Sequence, residues 1–270
     1  MKNRVKLLAA PYLVWMVIFI IVPLCVVAYF AFTDTNGNFT LVNIKAIKDY
    51  LPTFADSLLL AAISALICLI IGYPTAYAIA RAPVSKQRYL ILLIMLPMCM
   101  SFLLRTLALV ALMEDQGIIN SILSALGLGS VTLIRRPAAV VLGMVYNYLP
   151  YMIMPLHSVL VKLDNRLIEA SEDLGCNGFQ VFSKVVLPLS MPGIISGITM
   201  VFVPAVSTFY ISKKLGGTST AMIGDIIESQ FKTAYNLNAG AAMSLGLMLI
   251  VFVCMGIMNR FTGDSEVDLL

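Results

Sequence analysis

The stretch EASEDLGCNGFQVFSKVVLPLSMPG, Glu169 to Gly193, interrupts a chain that is otherwise mostly apolar. Its first residues, Glu169, Ala170, Glu172, Asp173 and Leu174, suit a helix. Gly175 and the following Cys-Asn-Gly supply a turn, because Gly and Asn enter left-handed backbone conformations cheaply. Phe179, Val181, Phe182 and Val185 then restart an apolar face, and Pro188 stands at the entry to the next apolar run. The pattern predicts a short helix, a bend and a second helix lying near a membrane surface. Its exposed acidic and apolar groups suit docking against another protein.

The flanks of this stretch decide the class. The 270 residues are 60% apolar and 12% charged, with a mean hydropathy of +0.94. Soluble domains average roughly 45–50% apolar and about 25% charged residues. So little polar surface cannot cover so large an apolar core in water. A bilayer-spanning helix needs about 20 mainly apolar residues. Six runs qualify, at about 7–32, 57–80, 89–113, 138–160, 185–210 and 239–258, with the polar segment at about 162–184 between the fourth and fifth. The expected fold is an all-α integral membrane protein, a single transmembrane domain over residues 1–270. Lys2, Arg4 and Lys6 precede the first run, which is too long for the 7–15-residue core of a signal peptide and reads as an uncleaved helix.

Loop cations set the direction. With the N-terminus inside, Lys2, Arg4, Lys6, Arg81, Lys86, Arg88, Lys162, Arg166, Lys184 and Arg260 are cytoplasmic, ten against seven outside. The short loop RAPVSKQR, Arg81–Arg88, carries three positive charges and no acid. Both termini are therefore expected in the cytoplasm. Although the net charge is +4, no basic cluster exceeds two residues, which gives nucleic acid no footprint. The prolines inside the runs either are tolerated kinks or open a path between helices.

Catalytic patterns are missing. The chain has no G-x-x-x-x-G-K-[ST] loop, and its single histidine, His157, excludes H-E-x-x-H and multi-histidine metal sites. No G-x-S-x-G elbow supports a nucleophile, and His157 reads as a packed helix residue. The five cysteines are far apart, without C-x-x-C spacing, so no metal ligands are indicated. An enzyme is not expected, nor a cofactor bound by this chain. Arg105 is the one ionisable residue well inside a span. It reads as a structural intramembrane charge, paired with Glu114 or Asp115 or snorkelling outward, with a role in the solute path as the alternative.

The polar stretch carries a resemblance. It is similar to the EAA motif of ABC importer permeases, E-A-A-x-x-x-G, then nine residues, then I-x-L-P. Here the motif reads Glu169-Ala170-Ser171, Gly175 and Val185-Val186-Leu187-Pro188, with Ser171 and Val185 as small departures. FLLRTLALVALMEDQGIIN (Phe102–Asn120), VVLGMVYNYLPYMIMPLHSVLVKLD (Val140–Asp164) and PAVSTFYISKKLGG (Pro204–Gly217) resemble the spermidine/putrescine permeases of that superfamily, in particular the first of their two permease subunits. The resemblance implies a non-catalytic subunit in a bacterial inner membrane. It also implies a second homologous permease, a cytoplasmic ATPase dimer that holds ATP and Mg, and an external substrate-binding protein. Glu169, Ala170, Asp173, Leu174, Gly175, Phe179, Leu187 and Pro188 would form the coupling segment that engages the ATPase. Importer permeases for other small solutes share the loop. An ion-coupled carrier would place acids at the bilayer midplane, and this chain has none there.

If the cargo is a polyamine, its ammonium groups need acids and aromatic faces. Candidates are Tyr146 and Tyr151, read as one face of the fourth span with Tyr148 off it, then Phe209 and Tyr210 after the fifth. Asp225 and Glu228 stand three residues apart on one predicted helix. These acids either receive cargo or form an exposed face that docks the binding protein.

Overall fold

The computed structural model describes residues 11–34, 36–127, 129–217 and 220–267, and the side chains among the last of these up to Met258 and at Arg260. The expected start of the first span at Leu7, with the cations before it, lies outside the described residues.

Helices account for nearly all of the order. They are α1 (Pro11–Ala31), α2 (Val42–Ala80), α3 (Val84–Met95), α4 (Phe102–Met113), α5 (Ile118–Ala125), α6 (Pro137–Leu160), α7 (Asn165–Asp173), α8 (Gly178–Val206), α9 (Ile223–Lys232) and α10 (Leu237–Val267). Five helices are each long and apolar enough to cross a membrane, and α3 to α5 supply a sixth passage if counted together. The only extended pairing among the described residues is an isolated antiparallel bridge from Thr33 to Phe39. The chain forms an all-α multi-pass membrane protein.

Two of the expected elements differ from the sequence reading. The third span, expected as one helix over 89–113, is two helical pieces meeting at 89°. Pro97 lacks the N–H that would continue the ladder, so α3 tightens into a 3-10 turn at Leu96–Cys99. Met100 and Ser101 are extended, with ψ of 149° and 131°, before α4 restarts. The second half of the polar segment is likewise no separate surface helix. It begins at Gly178, passes through a π-turn at Phe182–Val186 and runs without a break into the fifth span. Pro188 stands just after that π-turn, inside the continuous helix, where its missing N–H removes one bond from the ladder.

The chain divides into two compact units, Met1–Phe54 with Ile226–Ile250, and Ala55–Asp225 with Val251–Leu270. In the first, Ala31, Ala241 and Ala242 are fully or nearly fully buried and let α1 and α10 approach closely, with Phe30, Ile47 and Leu245 packed around them. Asn238 donates from its side-chain amide to the carbonyls of Phe30 and Thr33, at 3.1 and 2.6 Å. These tie α10 to the last turn of α1 and to the residues just beyond it.

The second unit is organised around α6, whose Met144, Met152, Leu156 and Leu160 are wholly or nearly wholly buried. Its partner is α8, which presents Gly193 and Gly197 at the contact. A β-carbon at Gly197 would lie 2.7 Å from the Met152 sulfur and 3.2 Å from the Met152 carbonyl oxygen. One at Gly193 would lie 3.1 Å from Val159. Spacing of four residues puts both glycines on one face, the small-residue device by which apolar helices approach in lipid. The helix pair on either side of the polar segment is thus locked together backbone to backbone.

Candidate functional site: the segment between α6 and α8

Asp164 caps α7, its carboxylate accepting from the Arg166 N–H at 3.0 Å. The helix ends at the glycine the sequence singled out. Gly175 has φ of +85°. Its N–H donates to the Glu172 carbonyl at 2.8 Å and the Cys176 N–H to that of Ser171 at 3.1 Å. This is the paired closure of a Schellman turn, which satisfies the last carbonyls of a helix when one residue is left-handed. Asn177 and Gln180 then exchange side-chain and backbone bonds, both 2.9 Å, in a capping box that starts α8. The spacing Asn-x-x-Gln carries this signal in the sequence. It went unread there because the Gly residues around it already accounted for a turn.

The two half-helices present a single kind of surface. Glu169, Ala170, Asp173, Leu174, Gly175 and Phe179 are all exposed, with Leu174 at 86% and Phe179 at 77%. Large apolar side chains so exposed beside two acids and a fixed turn match a protein-docking face. Behind that face, Ser171, Val181 and Val186 are buried and Leu187 is half-buried, anchoring the segment to its own unit. Pro188 is exposed.

One connection to α2 had no signal in the sequence. The Tyr73 and Ser190 hydroxyls meet at 2.8 Å, and Ser190 donates to the Leu187 carbonyl at 2.9 Å. The Tyr73 ring meets Phe182 edge-on, with centroids 5.6 Å apart. Phe182 begins the π-turn and Leu187 belongs to the motif, so one tyrosine of the second span touches the first directly and reaches the second through Ser190. Residues separated by more than a hundred positions along the chain show no common pattern before folding.

The residues proposed for the solute path are not gathered into one place. Tyr146 and Tyr151 do not share a face, because five residues advance a helix by about 140°. Tyr146 lies in an apolar groove with Leu60, Ile63 and Leu109. Tyr151 instead meets Tyr148, with ring centroids 6.3 Å apart, and Tyr148 is buried with its hydroxyl donating to the Pro204 carbonyl at 3.4 Å. Phe209 is 41% exposed. Tyr210 is half-buried against Phe102 at the start of α4, rings 6.2 Å apart. Both acids are on α9 as expected, and each is engaged locally. The Asp225 carboxylate accepts from the Met222 N–H at 2.8 Å, and Glu228 pairs with Lys232 at 2.9 Å.

Arg105 does not make the ion pair expected of it. It is 5% exposed, while Glu114 and Asp115 are exposed at the far end of α4. Among the described residues its Nε and Nη1 have no hydrogen-bond partner, nor does Oδ1 of fully buried Asn147. The amide of Asn147 donates to the Gly143 carbonyl at 2.9 Å and to the Thr106 hydroxyl at 3.5 Å. A polar layer therefore crosses from α4 to α6 inside the apolar bundle.

Long apolar helices and a bent polar segment offered outward between two locked spans define a multi-pass membrane component with a surface for docking another protein. Residues 72–263 match the family described as the binding-protein-dependent transport system inner membrane component, and this chain belongs to that family. It is 37% identical over 248 residues to the spermidine/putrescine transport system permease protein PotB of Haemophilus influenzae, covering 88% of this chain and 86% of that one. Its identity to the Escherichia coli PotB is 35% over 254 residues, covering 88% and 92%. In fold it is similar to a chain of a bacterial alginate ABC transporter solved with a periplasmic protein, at a TM-score of 0.79 and 13% identity over 97% of this chain and 94% of that one. A chain of the MetNI methionine ABC transporter gives a TM-score of 0.60 at 17% identity, covering 80% and 95%.

Proposed function

We propose that this chain is the permease subunit that forms half of the translocation path of an ATP-driven polyamine importer. It pairs with a second homologous permease, is driven by a cytoplasmic ATPase dimer and is fed by an external binding protein. The observation that carries the cargo assignment is the 35–37% identity to spermidine/putrescine permeases over nearly the whole chain. ATP and Mg bind in the partner ATPase, since this sequence has no phosphate-binding loop.

In this reading the exposed face of Glu169, Ala170, Asp173, Leu174, Gly175 and Phe179 seats in the ATPase, with Leu187 and Pro188 leading into α8. Closure of the ATPase pushes the segment, and the Gly193–Gly197 contact makes α6 and α8 move together. The segment faces the cytoplasm, as do both termini. Tyr151 and Phe209 offer aromatic faces to ammonium groups, and Asp225 and Glu228 offer charge at the price of their local bonds. The test is uptake by the reconstituted four-part complex, with labelled spermidine or putrescine challenged by an excess of amino acids, sugars or the other polyamine. Competition by polyamines alone supports the assignment. Equal competition by an unrelated solute overturns it and leaves a permease for another cargo.

A further inference from the structure

A polar cavity of about 570 Å³ opens where two spans end. The apolar stretches of α2 and α6 finish at Ala80 and Leu160, and the lining begins with these residues and continues through Arg81, Gln87, Lys162 and Asp164. That places it at the boundary between hydrocarbon and water.

Carbonyls at both helix ends already have donors of their own. Gln87 donates from its side-chain amide to the carbonyls of Ala80 and Ala82, at 3.0 and 2.7 Å. The N–H groups of Val161, Lys162 and Leu163 donate to His157, Val159 and Leu160. Neither cation is therefore needed to cap its helix. The guanidinium carbon of Arg81 lies 5.3 Å from the centre of the Tyr77 ring, and its Nε and Nη2 have no hydrogen-bond partner among the described residues. Lys162 is exposed at the cavity. The one acid in the lining, Asp164, is held as the cap of α7, with its carboxylate on the Arg166 N–H. Two cations thus share a polar cavity, and the guanidinium is covered on one side by an aromatic ring. Exposed apolar residues also line the cavity, Val84 at 82% and Val161 at 43%.

We propose that this cavity binds the phosphodiester headgroup of an anionic phospholipid. Arg81 and Lys162 supply the charge, and Val84 and Val161 meet the acyl chains. A phosphate oxygen accepts charge-assisted bonds from guanidinium and ammonium groups, and basic pockets at the ends of membrane helices recognise acidic headgroups. A carboxylate from another protein would satisfy the cations and leave the apolar rim unused. Because Asp164 both lines the cavity and caps α7, the lipid braces the first helix of the coupling segment. The proposal rests on membrane placement and not on the identity of the cargo.

The test uses the complete importer in nanodiscs of phosphatidylcholine, alone or with phosphatidylglycerol, and reads lipid retained through delipidation by native mass spectrometry. ATPase rate is the second readout. The wild type retains phosphatidylglycerol and hydrolyses ATP a few-fold faster with it. Arg81→Gln with Lys162→Gln weakens retention on the order of tenfold and removes the stimulation, while Arg81→Lys keeps most of both. Lys162→Gln alone, at an exposed position where folding is not at stake, lowers retention about threefold. Unchanged retention in both Gln variants overturns the site. So does loss of the lipid effect on adding millimolar inorganic phosphate, which identifies a site for free anions. Cross-linking of a Lys162→Cys variant to the ATPase, with no effect of phosphatidylglycerol, assigns the cavity to a protein contact instead.

Discussion

The hydroxyl of Tyr73 and that of Ser190 meet at 2.8 Å in a buried contact, while the ring of Tyr73 abuts Phe182. The second span is thereby fastened to α8 at the start of its π-turn, Phe182, and again at Ser190, one turn past the end of it. Removing the hydroxyl in Tyr73→Phe deletes one buried bond, worth about 1 kcal/mol, and keeps the ring. The expected outcome is a complex that assembles at normal level but moves fewer cargo molecules per ATP hydrolysed. Tyr73→Leu, which also removes the ring contact, should lower that ratio further. Both are checked by measuring uptake and phosphate release on one preparation. A ratio equal to wild type in both variants removes Tyr73 from the transmission path.

Gly175 holds the bend with φ of +85°, and a β-carbon there would touch nothing within 4 Å in this chain. Strain and not crowding therefore governs substitution within the chain, at roughly 1–2 kcal/mol for a branched residue. Gly175→Val should insert normally and lose uptake, because the Schellman turn sets the angle between Leu174 and Phe179. Gly175→Asn, which tolerates the left-handed conformation better, should keep a substantial part. Substrate-dependent ATPase activity retained by the valine variant would show that the bend does not set coupling.

The contact between α6 and α8 predicts a contrast between two glycines. Gly197→Ala forces a methyl group to within 2.7 Å of the Met152 sulfur and 3.2 Å of a backbone oxygen, whereas Gly256→Ala meets nothing within 4 Å. Overpacking of this kind costs about 1–3 kcal/mol. The first variant should lower the thermal midpoint of the purified complex and the second should not. Met152→Ala should relieve only part of the defect, since the carbonyl remains. Equal midpoints for the two glycine variants would mean that the helices do not keep this close approach.

Arg105 is a buried cation whose Nε and Nη1 have no partner among the described residues. Replacing an uncompensated buried charge by an apolar side chain of similar length is neutral or stabilising. Arg105→Met should therefore leave the thermal midpoint of the isolated chain unchanged or higher. A fall of several degrees in the assembled complex, absent in the isolated chain, would reveal an anionic partner on another subunit. Loss of uptake without loss of stability would assign the guanidinium to the solute path.

Orientation is checked by labelling in intact cells, after the native cysteines are replaced. Ser85→Cys, in the first turn of α3, should be shielded from an impermeant thiol reagent. Leu126→Cys, at a position 69% exposed after α5, should be labelled. The reverse pattern inverts the topology and places the segment around Gly175 outside.

Much of this architecture is local and was therefore legible in the chain. Apolar runs of span length require no knowledge of their neighbours, because in lipid a helix satisfies its own backbone. Gly175 announces a left-handed turn because it has no β-carbon, and the EAA spacing places that turn between two spans. Tertiary structure alone decided the rest. Pro97 could have kinked its helix or broken it, and it is the extended Met100 and Ser101 that turn the third span by 89°. Helical phase separates Tyr146 from Tyr151 by spacing alone, but only packing put Tyr148 under the Pro204 carbonyl and Tyr146 against Leu60 and Leu109. Tyr73 could not be assigned to Ser190, nor Arg81 to a cavity shared with Lys162, because residues so far apart meet only when helices pack. Periodicity records which face of a helix is apolar. Which residue of another helix lies against that face depends on crossing angle and register, and close packing of side chains settles those only in the folded molecule.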